Sequence, residues 1–436
     1  MAKRKGNQSA HSLCAMRCAL CTRYAIYALL IFTPLARGSV QGWAVSVIYL
    51  VTLIAVTAFL LGKSLTWNWK WINTPLDKPI IFLLVLLILS TVFSVHKYTS
   101  IWSLVLLLNY LTIYYLVIHT VRTRTQFRQL VYIIIGIATF LSIFGIFKRF
   151  GVNPFPWWEY PDLKYSADLL SSTYGNHNHL AGYMEMAIPL ILGLFLTSLR
   201  GGRLILMIFL LFIMLTALIL SLSRGGWIGS LIGLVFMAIA LVTNRHFRNK
   251  RLIAALAGGF LALALVVLAS TPVVERIRTF EQKKEIPNLS ARVTVWNGVV
   301  DMILDHPLLG TGPGTFATVF TQYQPQGLLY RNFMAHNDYL HFTSELGLPF
   351  FAIIVWIIIV LYKKGFQKLK NSSRLVRGIT VGAMSGITAI LIHSISDFNL
   401  HIPANALLFT VLAALVAAPL PQEDSNKFHR TLGTSY

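Results

Sequence analysis

TPVVERIRTFEQKKE (271–285), SARVTVWNGVVDMILDHPLLGTGPGTF (290–316) and MAHNDYLHFTSELGLPFF (334–351) form the longest polar interruption in a chain otherwise built of apolar runs. The segment from Thr271 to Gly347 gathers Arg276, Arg278, Arg292, His336, Asp338, His341 and Glu345. The apolar runs on either side set what this segment can be. They hold it at one depth and on one side of a bilayer.

The chain has 436 residues, 56% of them hydrophobic and 12% charged. Soluble proteins carry about 25% charged residues. Apolar runs of about 18 residues or more recur along the sequence, each long enough for a ~30 Å hydrocarbon core. They are continuously apolar rather than alternating, which excludes a β-barrel. The expected fold is an all-α polytopic membrane protein with about twelve transmembrane helices. The spans fall near 24–36, 43–61, 79–95, 101–119, 127–147, 178–198, 203–222, 226–243, 252–270, 348–362, 377–395 and 403–419. Three parts follow: a bundle of nine spans over 1–270, a polar helical loop over 271–347, and three spans with a tail over 348–436.

The formal charge of +22 does not signal nucleic acid. Lys and Arg fall in short clusters between apolar runs, as the positive-inside rule requires, and not along a basic groove. Placing the N-terminus inside puts most of them on inner segments. Both termini are then cytoplasmic, and 271–347 faces outward. Cys14, Cys18 and Cys21 precede or open the first span, so no disulfide braces the polar loop. They read as reduced thiols at the inner face. The first span lacks a cleavage site and reads as an anchor.

Several residues stand out against this background. Between 148 and 179, Trp157, Trp158, Tyr160 and Tyr165 suit an interfacial aromatic belt or a sugar platform. The run Asn176–His179 opens the next span, with Asn178 as the expected N-cap and His179 beside it. Glu185 lies about two turns into that span, where a carboxyl is costly and marks either function or pairing with a neighbouring Arg or His. Arg224 is the one charge in SLSRGGWIG (221–229), free to snorkel or to hold an anion. Beyond 290, Val293, Trp296, Val299, Val300, Ile303 and Leu304 recur at helical spacing, with Ser290 as cap and Pro307 as stop. This predicts an amphipathic helix on the outer bilayer surface, with Arg292 in its first turn. GTGPGTF (310–316) lacks the residues of a phosphate-binding loop and reads as a close-packed turn. Asn337 or Asp338 should cap a helix with Asp338, His341, Phe342 and Glu345 on one face. His336 precedes that helix, where the helix dipole favours the neutral imidazole, a proton acceptor.

These motifs together resemble the O-antigen ligase / O-antigen polymerase superfamily of integral membrane glycosyltransferases. The resemblance rests on HNDYL with a following ELG (336–347), R-x3-W before HPLLGTGPGTF (292–316), SRGGW (223–227) and GNHNHLA (175–181). It implies a GT-C-like helical fold in the bacterial inner membrane with a periplasmic active site. It implies transfer of a glycan from an undecaprenyl-pyrophosphate donor to an acceptor hydroxyl, such as lipid A core, with no cofactor, nucleotide sugar or metal. His336 is then the catalytic base, and Arg224 and Arg292 the cations on the leaving group. Asn178, His179, Glu185, Asp338, His341 and Glu345 are the expected substrate-binding residues. A polymerase joining lipid-linked repeats shares these motifs. A transporter of lipid-linked glycans is the alternative from another class, suggested by Glu185, His393 and Asp397 within or beside spans.

Overall fold

The computed structural model describes residues 2–155, 169–197, 201–243, 258, 287–325, 332–371 and 373–423. Among these residues the protein is helical and has no strand. In chain order the helices are α1 (Ala2–Leu35), α2 (Gly42–Thr66), α3 (Asp77–Val92), α4 (Lys97–Thr120), α5 (Arg124–Arg149), α6 (His177–Thr197) and α7 (Gly202–Leu220). There follow α8 (Arg224–Thr243), α9 (Pro287–Asp305), α10 (Phe316–Val319), α11 (Asp338–Leu346), α12 (Leu348–Leu369), α13 (Arg374–His393) and α14 (Pro403–Ala417).

Eight described helices are long and apolar enough to cross a membrane: α1 from Ser12, α2, α4, α5, α7, α8, α12 and α13. Three other expected spans coincide with α3, α6 and α14. With 16 and 15 residues, α3 and α14 are short for a ~30 Å core at ~1.5 Å per residue. The expected span at 252–270 lies outside the described residues, as do Arg276, Arg278, Trp157, Trp158, Tyr160 and Tyr165. The chain is an all-α polytopic membrane protein. One boundary needs correction. The first helix begins at Ala2 rather than near 24, so Cys14, Cys18 and Cys21 lie within its membrane-length part.

Local sequence explains the helix ends. Thr123 and Gln126 form a capping box at the start of α5. Ser373 caps α13, and Pro403 sits in the first turn of α14, where its missing N–H costs nothing. Gly347, at φ +80°, breaks the chain between α11 and α12. A side chain there would be strained and would meet the Leu308 carbonyl.

The centre of the bundle is α13, whose membrane-length window is 78% buried, against 17% for α7 and α12. It lies between α6 and α8. Gly382 and Gly386 let its backbone meet Pro189, Leu190 and Met186 of α6, and Gly229 and Gly233 of α8 meet Ala389 and Ser385. Small residues are what allow such approach where no hydrophobic force separates helix from lipid. Ser385 Oγ donates to the Gly233 carbonyl at 2.6 Å across this contact.

The two ends of the bundle differ. At one, Gln422 exchanges backbone hydrogen bonds with Arg122 and Arg124, and Arg124 pairs with Glu423 at 2.9 Å. Lys368, at the end of α12, donates to the last carbonyls of α14, Leu415 at 2.8 Å and Ala418 at 3.1 Å. This end is rich in Lys and Arg. At the other end His179 of α6, Gly225 of α8 and Asn405 of α14 meet the end of α13 or the link after it, and Arg292 of α9 and Asp338 of α11 reach the same link.

Candidate active site

The organising element is the short link from α13 to α14, SISDFNLH (394–401). Asp338, the first residue of α11, ties it down. Its Oδ2 accepts from Ser394 Oγ at 2.7 Å and from the Leu400 N–H at 3.0 Å, and its Oδ1 lies 2.6 Å from His401 Nδ1. Its own N–H donates to the Ser394 carbonyl at 2.9 Å. Asn337 caps α11, its side chain accepting from the Leu340 N–H at 3.0 Å. One carboxylate thus fixes the link against the helix that follows His336.

His336 takes a left-handed backbone conformation at φ +50°, a local cost of the kind found at functional sites. Its Nδ1 lies 3.5 Å from Asp397 Oδ1, at the long limit of a hydrogen bond. The imidazole is 36% exposed and the Asp397 carboxylate 1%. The buried ring nitrogen faces the carboxylate, so the exposure falls on the rest of the ring. The ring stands edge-on to Phe398 at 5.0 Å, and His179 meets the same phenyl at 4.8 Å. Burial alone would raise the Asp397 carboxyl. The close approach of His336 and the charges of His179 and His393 outweigh it and hold the group far below the usual carboxylate range.

Arg292 reaches the same link from α9. Its Nη1 donates to the Ser396 carbonyl at 2.5 Å. Arg224 is exposed at the first position of α8. Ser223 Oγ caps that helix by accepting from the Gly226 N–H at 3.2 Å. Gly225, the next residue, sits so close to His393 and Ser396 that a Cβ would strike both. Arg292 and His336 are far apart in sequence, yet they meet the consecutive residues Ser396 and Asp397, and the Gly225 backbone next to Arg224 lies against Ser396.

Other expected substrate-binding residues are occupied by the protein itself. Glu345 accepts from the Gly314 N–H at 2.8 Å and the Phe316 N–H at 3.0 Å, and lies 3.3 Å from His341 Nε2. It clamps the glycine turn, which in turn lies against Ser94, Ser100 and Ser103. His341 is buried and stacks on Phe316 at 4.3 Å. Glu185 is buried in the bundle and bonds His393 Nδ1 at 3.0 Å. Asn178 and His179 lie in the first turn of α6, Asn178 half-buried and His179 buried with an unpaired Nε2 among the described residues.

The N-cap of α6 is Asn176 and not Asn178, since Asn176 Oδ1 accepts from the Asn178 N–H at 2.8 Å. Helix α9 begins at Pro287, three residues before the expected cap Ser290. Its apolar stripe also divides. Val299 and Ile303 are buried with Val295 and Met302 against Phe316 and Phe320, whereas Val293, Val300 and Leu304 are exposed.

His341, Glu345 and His401 bring ligand atoms within 4.8 Å of one another, a spacing open to a metal ion. Hydrogen bonds engage Glu345 and both His341 nitrogens, while His401 Nε2 is buried with no hydrogen-bond partner among the described residues. The Ala335 N–H points at His341 Nδ1 at 3.4 Å, which assigns the ring proton to Nε2, toward Glu345.

This cluster carries a stability prediction. Burial pushes the Glu345 carboxyl up, but His341, His401 and the Gly314 N–H together hold it below its ordinary 4.5. A carboxyl depressed in the folded state adds stability that is complete above its unfolded value and lost as pH falls through the folded one. The thermal midpoint in detergent is expected to fall below about pH 4.5. Glu345→Gln should cost about 1.5–3 kcal/mol at neutral pH and flatten that acid step.

Sequence reasoning missed the 394–401 link as the meeting point. Its signal was an acid flanked by His393 and His401 between two spans.

The fold and site define a polytopic membrane protein in which an imidazole–carboxylate pair and the Arg292 guanidinium meet at the 394–401 link. Residues 209–357 match the family model for O-antigen ligase. That segment contains Arg224, Arg292 and His336, and over it the chain is similar to O-antigen ligase. The matched segment stops before Asp397. A search of curated proteins gives no match.

Proposed function

We propose that the protein transfers a glycan from undecaprenyl pyrophosphate to an acceptor hydroxyl at the periplasmic face of the bacterial inner membrane, as an O-antigen ligase. The observation that carries this is the approach of Arg292 and His336 to adjacent residues, Ser396 and Asp397. Arg224 and Arg292 neutralise the diphosphate as it leaves, in a site where charge is poorly screened by water. His336 takes the proton from the acceptor hydroxyl as its oxygen attacks the anomeric carbon and the sugar–phosphate bond breaks. Asp397 orients the imidazole and stabilises it once protonated. Direct displacement inverts the anomeric centre. Such a leaving group requires no metal and no nucleotide sugar.

The sidedness rests on charge. The basic end of the bundle carries Arg122, Arg124, Lys363 and Arg374, and the positive-inside rule assigns that end, with both termini, to the cytoplasm. The acceptor is lipid A core in a ligase and another lipid-linked glycan in a polymerase. Deleting the gene in its host and running the lipopolysaccharide on a gel separates these. Loss of the whole ladder supports the ligase, a single-repeat band supports polymerisation, and an unchanged ladder removes both. The transporter alternative loses its motive groups, since Glu185 is bonded to His393 and Asp397 faces His336.

A further inference from the structure

A carboxylate buried in a membrane bundle needs a partner for its charge. Glu185 is completely buried in α6, and its bonded partner is His393 Nδ1 at 3.0 Å. Its second oxygen lies against Gly229 of α8, where a Cβ would meet it at 2.7 Å. His393 is the last residue of α13 and is also buried. The opposite edge of its ring, Cδ2 and Nε2, fills the space beside Gly225. Gly225 follows Arg224, and Ser396, whose carbonyl holds Arg292, touches the same space. The pair therefore ends beside the backbone that carries Arg224 and next to Ser396, whose carbonyl holds the Arg292 side chain.

Resting on the diphosphate reading above, we infer that Glu185 and His393 are positioning residues that form the floor of the anion site. The two groups share a proton. With the carboxylate deeper in α6 and the imidazole at the end of α13 nearest the site, the positive end of the pair faces outward. The ring edge also sets the first turn of α8 against the 394–401 link, fixing the separation of Arg224 and Arg292. This accounts for Gly225, since a side chain there would displace the ring, and for the depth of Glu185 in a span. The pair reads the diphosphate of the donor and is indifferent to the acceptor.

The test uses the full chain in detergent and farnesyl diphosphate as probe, with titration calorimetry for affinity and steady-state transfer for the two KM values. Glu185→Gln and His393→Gln are expected to weaken farnesyl diphosphate about tenfold. They should raise the donor KM by a similar factor and leave the acceptor KM unchanged. The double variant should lose no more than the worse single, because the two act as one unit. A merely structural role would lower the thermal midpoint without separating donor from acceptor. Folded variants that bind the probe like wild type, while Arg292→Ala loses it, overturn the inference. If His393→Gln fails to fold, Gly225→Ala takes its place, and a folded Gly225→Ala of wild-type affinity overturns the inference equally. If Arg224→Ala and Arg292→Ala also bind like wild type, the diphosphate reading itself falls and takes this inference with it.

Discussion

Alanine at His336 is expected to cut glycan transfer by about a hundred- to ten-thousand-fold, the usual contribution of a positioned base. The side chain is partly exposed and precedes α11, so its loss should leave the bundle folded. The effect should appear in the single-turnover rate, with the donor still bound. Asp397→Asn is the companion change. It keeps the shape beneath the imidazole and removes the charge that stabilises its protonated form, and it should cost about ten- to a hundredfold by analogy with other outer partners of a histidine. The carboxyl is depressed in the fold, so it is charged at every pH above its ordinary 3.8, and asparagine should lower activity across the neutral range. Wild-type turnover in folded, membrane-inserted His336→Ala would remove the base assignment, whatever becomes of the rest.

Arg292→Ala should lower transfer by about a hundred- to a thousandfold, the loss expected when one preorganised donor to developing charge is removed. Two effects combine here. On the proposed reading the leaving diphosphate loses a cation, and the Ser396 carbonyl loses its guanidinium partner. Lysine restores charge but not the planar fork that spans two acceptors, so Arg292→Lys should recover only part of the rate. Kinetics with a lipid-linked donor separates the outcomes, and full activity in Arg292→Ala would exclude a role in catalysis.

How much was legible in the sequence depends on the range of the interaction. Helix caps act over three or four residues, so the cap of α11 could be narrowed to Asn337 or Asp338, and the bond from the Leu340 N–H decides for Asn337. At the start of α6 the expected cap, Asn178, gave way to Asn176, because the backbone bend falls two residues earlier. The role of Glu345 was hidden because its partners, Gly314 and Phe316, are about thirty residues away and offer backbone N–H groups, which no side-chain pattern reveals. Glu185 could be flagged from its depth alone, but its partner His393 lies 208 positions along the chain.

The sequence by itself determined the class of fold. Bilayer thickness demands a run of apolar residues, and run length, charge clusters and local caps are all short-range properties of the chain. It also singled out Arg224 between two such runs, and Arg292 and His336 within the polar 271–347 segment. The tertiary structure decided what they meet. Packing of α13 between α6 and α8 delivers the 394–401 link to the end of the bundle, and the Asp338 carboxylate pins it there. That convergence depends on contacts between residues dozens to hundreds of positions apart, and periodicity carries no record of them.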